Sequence, residues 1–142
     1  LRPLDAIQPY RLEMGSRLKT RRGTSLYDYW RTDLAKALNA QAEDMGSDIL
    51  ANCASQEYFG AVPEKTLKPM LVTPAFMEDK GQGPKIVSFF AKRARGAMAR
   101  HIIQNRVTDL DGVRSFNTDG YVYQSALSTD AKPVFVRPYP AT

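Results

Sequence analysis

Between Ala91 and Val107 the chain reads AKRARGAMARHIIQNRV, a proline-free run whose charges and small residues separate at helical spacing. At about 100° per residue, Lys92, Arg93, Arg95, Arg100 and Arg106 share an arc of roughly 160° that also holds Gly96 and Ala99. Ala94, Ala97, Met98, His101 and Ile102 occupy the opposite side. Such a helix can rest on a core by its small side. Cations flanking a strip of almost no side-chain bulk let the backbone approach a polyanion while long arms grip on either side. The same pattern also describes a solvated basic face on an ordinary amphipathic helix. Ile103 falls inside the basic arc and fits neither account.

The formal net charge of +5 is compatible with a nucleic-acid or acidic partner. The bias is concentrated: besides the helix, Arg17, Lys19, Arg21 and Arg22 cluster in a glycine-bounded segment that reads as a loop, so two basic patches can flank one cleft. With 142 residues, 43% of them hydrophobic, the chain can bury a core, and a single domain over residues 1–142 is expected. One Cys and one His leave neither a disulfide framework nor a zinc site of usual ligand count, and fit a reducing, cytoplasmic setting. No run is long and apolar enough for a membrane span, and LRPLDAIQPY lacks the pattern of a signal peptide. Leu1 is not an initiator methionine, which points to processing or to part of a longer protein.

The fold class expected is α+β, a small mixed sheet with hairpins and packed helices. Leu1–Gln8 reads as a turn or short helical piece, and Tyr10, Leu12 and Met14 alternate like a strand. Ser25 with Asp28 makes a capping box for a helix in which Leu26, Trp30, Leu34 and Leu38 recur every fourth residue to about Asn39. Tyr27, Tyr29 and Trp30 read as core and flank. Ile49–Cys53 reads as a buried strand, Ser55–Phe59 as a capped helical turn, and Pro63 and Pro69 bracket a loop. Met70–Met77 reads as a strand that Pro74 assigns to an edge, folded by Gly81–Pro84 onto a strand at Lys85–Phe90. After the basic helix, Thr108 and Asp111 can cap a short helix carrying Leu110 and Val113, and Tyr121–Tyr123 pairs with Val134–Val136.

Catalytic constellations are thin. Cys53 and His101 supply a nucleophile and a base in principle, but a buried small thiol beside a satisfied core histidine is the far commoner arrangement, and nothing local favours catalysis. Glu13 beside Arg11 and Glu57 beside Tyr58 are candidate acids and bases, or partners for the arginines. No glycine-rich phosphate loop and no Glu-x-x-His metal signature occurs, so no cofactor is implied.

Four blocks, LRPLDAIQPYRLEMG, ASQEYF (Ala54–Phe59), SFFAKRARGAMARHIIQNR (Ser88–Arg106) and SFNTDGY (Ser115–Tyr121), occur in an order and spacing that resembles the YaaA family of peroxide-stress proteins. The match runs over nearly the whole chain. Its departures are conservative: Gln56 where an acidic or amide residue is usual, Phe90 for Tyr, Arg93 for Lys, and Thr118-Asp119 for a Ser-Glu pair. Family members begin with a strand and a Ser-Pro-Ala-Lys-Thr type segment ahead of the first block, so this chain looks like the C-terminal part of the family fold. The resemblance implies a cytosolic protein that protects cells against hydrogen peroxide and limits unincorporated iron. It also implies binding of duplex DNA through a positive cleft and a helix-hairpin-helix element.

Ala94, Ala97, Ile102, Ile103 and Arg106, followed by Thr108 and Leu110–Gly112, echo that element's rhythm, as does ordinary helix-turn-helix packing. The functional expectation is a non-catalytic, sequence-tolerant binder of double-stranded DNA. Lys92, Arg93, Arg95, Arg100 and Arg106 grip phosphates, Gly96 permits close approach, and Arg17, Arg21 and Arg22 are secondary contacts. Asp5, Arg11, Glu13, Glu57 and Tyr58 are expected to form a buried or cleft-lining polar network. Two alternatives stand beside this: an enzyme using Glu57, Tyr58 or Glu13 near Lys92, and an iron-handling protein with oxygen ligands from Asp5, Glu13 or Glu57. A membrane surface and an obligate protein partner are not expected.

Overall fold

The computed structural model of the chain describes residues 6, 13–30 and 32–140. The expected elements at Leu1–Gln8, Tyr10 and Leu12 lie outside them, as do Asp5 and Arg11, while Met14 is buried in a turn. The basic segment that reads as a loop is a hairpin instead: β1 (Arg17–Thr20) runs antiparallel to β2 (Gly23–Ser25). Thr20 closes it locally, its Oγ1 donating to the Gly23 carbonyl and accepting from the Arg22 N–H, both at 3.1 Å. Gly23 is obligatory, since a Cβ there would stand 2.2 Å from the Asp28 Cβ.

Ser25 caps α1 (Leu26–Trp30) as expected, accepting from the Asp28 N–H at 3.2 Å. The helix does not continue to Asn39. It stops at Trp30, which is 41% exposed, and α2 (Asp33–Asp44) restarts after Thr32 and runs past the expected end. Asp33 sits in the first turn of α2, where the helix end favours a carboxylate, and pairs with Arg22 of the hairpin. That anchorage gives the second helix its own start.

Next, β3 (Ile49–Ala51) lies parallel to β4 (Met70–Val72), with α3 (Gln56–Phe59) and a single helical turn at Glu64–Thr66 in the crossover. Ser55 caps α3 by accepting from the Tyr58 N–H at 3.4 Å. The expected strand Met70–Met77 is two strands, because the chain changes sheets at Pro74. Beyond it β5 (Ala75–Asp79) is interior to a four-stranded sheet, so the proline marks a joint and not an edge.

The turn after β5 closes on Asp79, whose Oδ1 accepts from the N–H groups of Gly81 and Gly83. The strand expected at Lys85–Phe90 shrinks to β6 (Pro84–Lys85), and α4 (Ser88–Gln104) claims the rest. Phe90, in the first turn of this helix, packs edge-on to Tyr139 at 5.7 Å. Then comes α5 (Leu110–Arg114), capped by Asp109 rather than Thr108, with Oδ1 accepting from the Gly112 N–H at 2.7 Å. Finally β7 (Val122–Tyr123) pairs antiparallel with β8 (Val134–Pro138), as the sequence leads one to expect. The sheet order is β6-β5-β8-β7, with β5 and β8 parallel.

The fold is therefore α+β, and its core lies between this sheet and α4. Phe76 and Phe135 stack across the parallel pair at 5.4 Å, and Phe116 and Tyr121 meet Phe76 edge-on at 5.6 and 5.3 Å. Ala91, Ala94 and Met98 of α4 are buried on this side, which is the small face expected of the helix. Fully burying each aromatic ring contributes roughly 1.5–3 kcal/mol, so α4 is clamped to the sheet by one face while its basic arc points away.

Candidate nucleic-acid interface

With Ala94 and Met98 turned inward, helical geometry directs Gly96 and Arg100 outward, and both are exposed. A Cβ built on Gly96 would have no atom within 4 Å, so the backbone there is open to a ligand. Arg93 and Arg100 stand one turn before and one after it. Together with Ala97, His101, Gln104 and Asn105 they form one wall of a groove of about 470 Å³, and Thr118 and Asp119 form the other. Asp119 places its carboxylate 3.9 Å from the Arg93 guanidinium. Among the charged residues lining the groove it is the acidic one, against two arginines.

The five cations of the expected arc are not equivalent. Lys92, Arg93 and Arg100 are exposed on α4. Arg95 is half-buried on the side of Cys53, where its charge opposes the upward push that burial gives the Cys53 thiol. Arg106 lies beyond the helix. The chain passes it with φ of +50°, while the N–H groups of Arg106 and Val107 return to the carbonyls of Ile103 and Ile102. This is the six-to-one closure that usually ends in glycine. Ile103, the misfit of the arc, is 75% exposed.

Gly112 does not serve as a phosphate-binding turn. It lies inside α5, its N–H is taken by Asp109, and a Cβ would meet Val107 Cγ1 at 2.6 Å. Its smallness packs the corner between α4 and α5. His101 fastens the same corner, with Nε2–H donating to the Gly112 carbonyl at 2.9 Å and Nδ1 accepting from the Asn105 amide at 3.1 Å. Both ring nitrogens are occupied, so His101 is a tether and not a base for Cys53.

The second basic cluster splits in the same manner. Arg17, Lys19 and Arg21 are exposed, whereas Arg22 is engaged by Asp33 and lies over the Tyr29 ring at 4.9 Å. That pairing holds the Asp33 carboxyl below the usual carboxylate range, chiefly through the Arg22 hydrogen bond. Arg17, Arg21 and Arg22 do not line the groove. Of the expected polar network, Glu13, Glu57 and Tyr58 are exposed and not buried. Glu57 Oε1 accepts from the Met14 N–H at 3.2 Å and its carbonyl accepts from the Tyr27 hydroxyl at 2.9 Å, which joins α3 to the turn ahead of the hairpin and to α1.

The polar centre of the described residues is elsewhere, at two positions that sequence reasoning passes over. Glu78 is fully buried in its side chain, and its Oε1 accepts from the Tyr121 hydroxyl and from Arg137 Nε at 3.3 Å. The Arg137 guanidinium lies 4.8 Å from the Phe90 ring and 4.5 Å from the Tyr121 ring, and its Nη1 donates to the Asp119 carbonyl at 3.2 Å. Arg137 thus links the buried carboxylate to the turn that makes the far wall of the groove. Burial, and then the hydrogen bond to Glu78, push the Tyr121 phenol well above the ordinary tyrosine range. The signal was the two-residue spacing of Phe76 and Glu78, which puts a charge on the core phase of β5.

Comparison of the sequence with known proteins finds relatives of the chain. A family model described as peroxide stress protein YaaA matches residues 1–127. A UPF0246 protein of Roseobacter denitrificans is 72% identical over 100% of this chain and 56% of its own length. One from Ruegeria pomeroyi is 68% identical over 98% of the chain and 54% of its own length, and one from Caulobacter vibrioides is 53% identical over 99% and 55%. The chain spans about half the length of the curated relatives it matches.

Proposed function

We propose, for a chain that belongs to the peroxide stress protein YaaA family, a role in the oxidative stress response as a sequence-tolerant binder of duplex DNA. The observation that carries this reading is the open backbone of Gly96 set between Arg93 and Arg100 at the mouth of a groove. Two guanidiniums one helical turn either side of a bare strip suit successive phosphates, and such contacts position a protein without reading bases. Lys92 and Arg106 extend the basic surface, and Arg17 and Arg21 on the hairpin are secondary contacts. Arg95 is assigned to the helix flank, and Arg22 to its pair with Asp33. The cytoplasm is the setting this reading requires, and among the described residues no helix is long and apolar enough to cross a membrane.

The same electrostatics offer a way to shield the duplex itself from iron-dependent damage. Cations condensed on a duplex leave when arginines neutralise its phosphates, and ferrous ions are among the cations displaced. Peroxide then meets less iron at the sugar backbone. Nicking of supercoiled plasmid by ferrous iron and peroxide tests this: the wild-type chain protects, and a folded Arg93→Ala/Arg100→Ala variant does not. Equal protection by both proteins would refute the mechanism and favour removal of iron from solution.

A further inference from the structure

We propose that Arg137 is a positioning residue for duplex binding: from outside the groove it holds the Thr118–Gly120 turn so that Asp119 stands opposite Arg93. The inference rests on the reading of that groove as the DNA site, and adds the residue that sets its width. Arg137 does not line the groove, and its side chain is 12% exposed. Its effect on a ligand there passes through the turn. Asp119 bends the chain with φ of +56°, and Gly120 follows with φ of +78°. Two successive left-handed residues, one of them not glycine, persist where surrounding contacts impose them. The backbone closure of the turn is long, from the Tyr121 N–H to the Thr118 carbonyl at 3.3 Å. Arg137 adds a charge-assisted bond, Nη1 donating to the Asp119 carbonyl at 3.2 Å.

The guanidinium that makes this bond is itself fixed. Arg137 is the partner of Glu78 in the parallel register of β5 and β8, and its Nε donates to Glu78 Oε1 at 3.3 Å. The rings of Tyr121 and Phe90 lie 4.5 and 4.8 Å from its centre and set its orientation. Phe90 precedes Arg93 by three residues on α4. One guanidinium therefore fixes both walls against each other, α4 through Phe90 and the turn through Asp119. Charge balance for Glu78 needs only the Nε bond, so it leaves the Nη1 bond to Asp119 unexplained. A planar fork serves both acceptors at once, which the single ammonium of a lysine does not.

A double-mutant cycle on the full chain tests this, with a labelled duplex read by fluorescence anisotropy at several salt concentrations. Asp119→Asn is measured in the wild type, in Arg137→Lys and in Glu78→Gln/Arg137→Met. Both backgrounds keep the net charge of the chain, and the second removes the two buried charges together, so it serves if circular dichroism shows Arg137→Lys unfolded. The change in affinity that Asp119→Asn produces in the wild type should shrink to within about twofold of none in either folded background. The salt slope of Glu78→Gln/Arg137→Met should match the wild type, because no phosphate contact is lost. Without DNA, hydrogen exchange at the Tyr121 amide should speed about tenfold in both backgrounds and hold at Met98 in α4. An Asp119→Asn effect of equal size in all backgrounds, zero included, overturns the proposal, as does an unchanged Tyr121 exchange rate. A slope reduced by about 0.9 would make Arg137 a phosphate contact itself and overturn it too. Failure of the underlying reading is separate: there the wild-type chain binds no duplex at any salt concentration, and the inference falls with it.

Discussion

The Arg93 guanidinium and the Asp119 carboxylate face each other at 3.9 Å from opposite walls of one groove. Both are exposed, so the pair contributes little to stability, but the carboxylate subtracts from the field that a phosphate would feel. Asp119 has φ of +56°, a conformation asparagine tolerates. Asp119→Asn should therefore leave the melting temperature nearly unchanged and raise duplex affinity a few-fold at low salt, read by fluorescence anisotropy. Weaker binding would mean that the carboxylate aligns Arg93 rather than opposing the ligand.

Gly96 separates folding from binding. A side chain there meets open space, so Gly96→Ala should raise helix stability by about 1 kcal/mol in chemical denaturation. Gly96→Leu should also fold, yet bind DNA at least several-fold more weakly because the strip between the two arginines is filled. Undiminished binding by the leucine variant would show that the backbone does not approach the ligand closely.

Arg106 occupies a left-handed position where glycine ordinarily ends a helix, at a cost of roughly 1–2 kcal/mol. Arg106→Gly should thus stabilise the fold by about 1 kcal/mol. On the phosphate-contact account the same variant binds DNA more weakly, with the salt slope reduced by about 0.9. A gain in stability with no change in binding would remove Arg106 from the interface.

Tyr121 predicts an alkaline limb in the stability profile. Its pKa is raised in the folded state, first by burial and then by the hydrogen bond to Glu78, so its contribution is complete below the ordinary tyrosine value of 10.0 and is lost as pH rises above it. Tyr121→Phe should flatten that limb in urea melts taken across it. At neutral pH it should cost about 1–3 kcal/mol, because a buried oxygen of Glu78 loses a donor. An unchanged limb would mean that another group titrates there.

The helical run from Ala91, with its small buried face and basic exposed face, was legible because periodicity alone determines which side of a helix meets a core, whereas its first turn at residues 88–90 read as strand. The Ser25 and Ser55 caps and the β7–β8 pairing were legible from local chemistry in the same way. What escaped the sequence depended on contacts remote along the chain. The hairpin at Arg17–Ser25 is closed by a threonine, the break after Trp30 is followed by an aspartate anchored on Arg22, and Pro74 marks a change of sheet that no edge rule anticipates. Helical spacing also anticipated that Arg93, Gly96 and Arg100 share one face, and all three line the groove. The sequence could not show that Arg95 turns toward Cys53, that Arg106 leaves the helix, or that Glu78 and Arg137 meet across β5 and β8.

The most direct measurement is the salt dependence of duplex DNA binding by the intact chain and by Arg93→Ala/Arg100→Ala, each shown folded by circular dichroism. If Lys92, Arg93, Arg100 and Arg106 all meet phosphates, log affinity should fall against log salt with a slope near −3.6, about −0.9 per contact, and the variant should give about −1.8. A flat response, or a variant whose slope matches the wild type, would contradict a phosphate-binding groove on this helix.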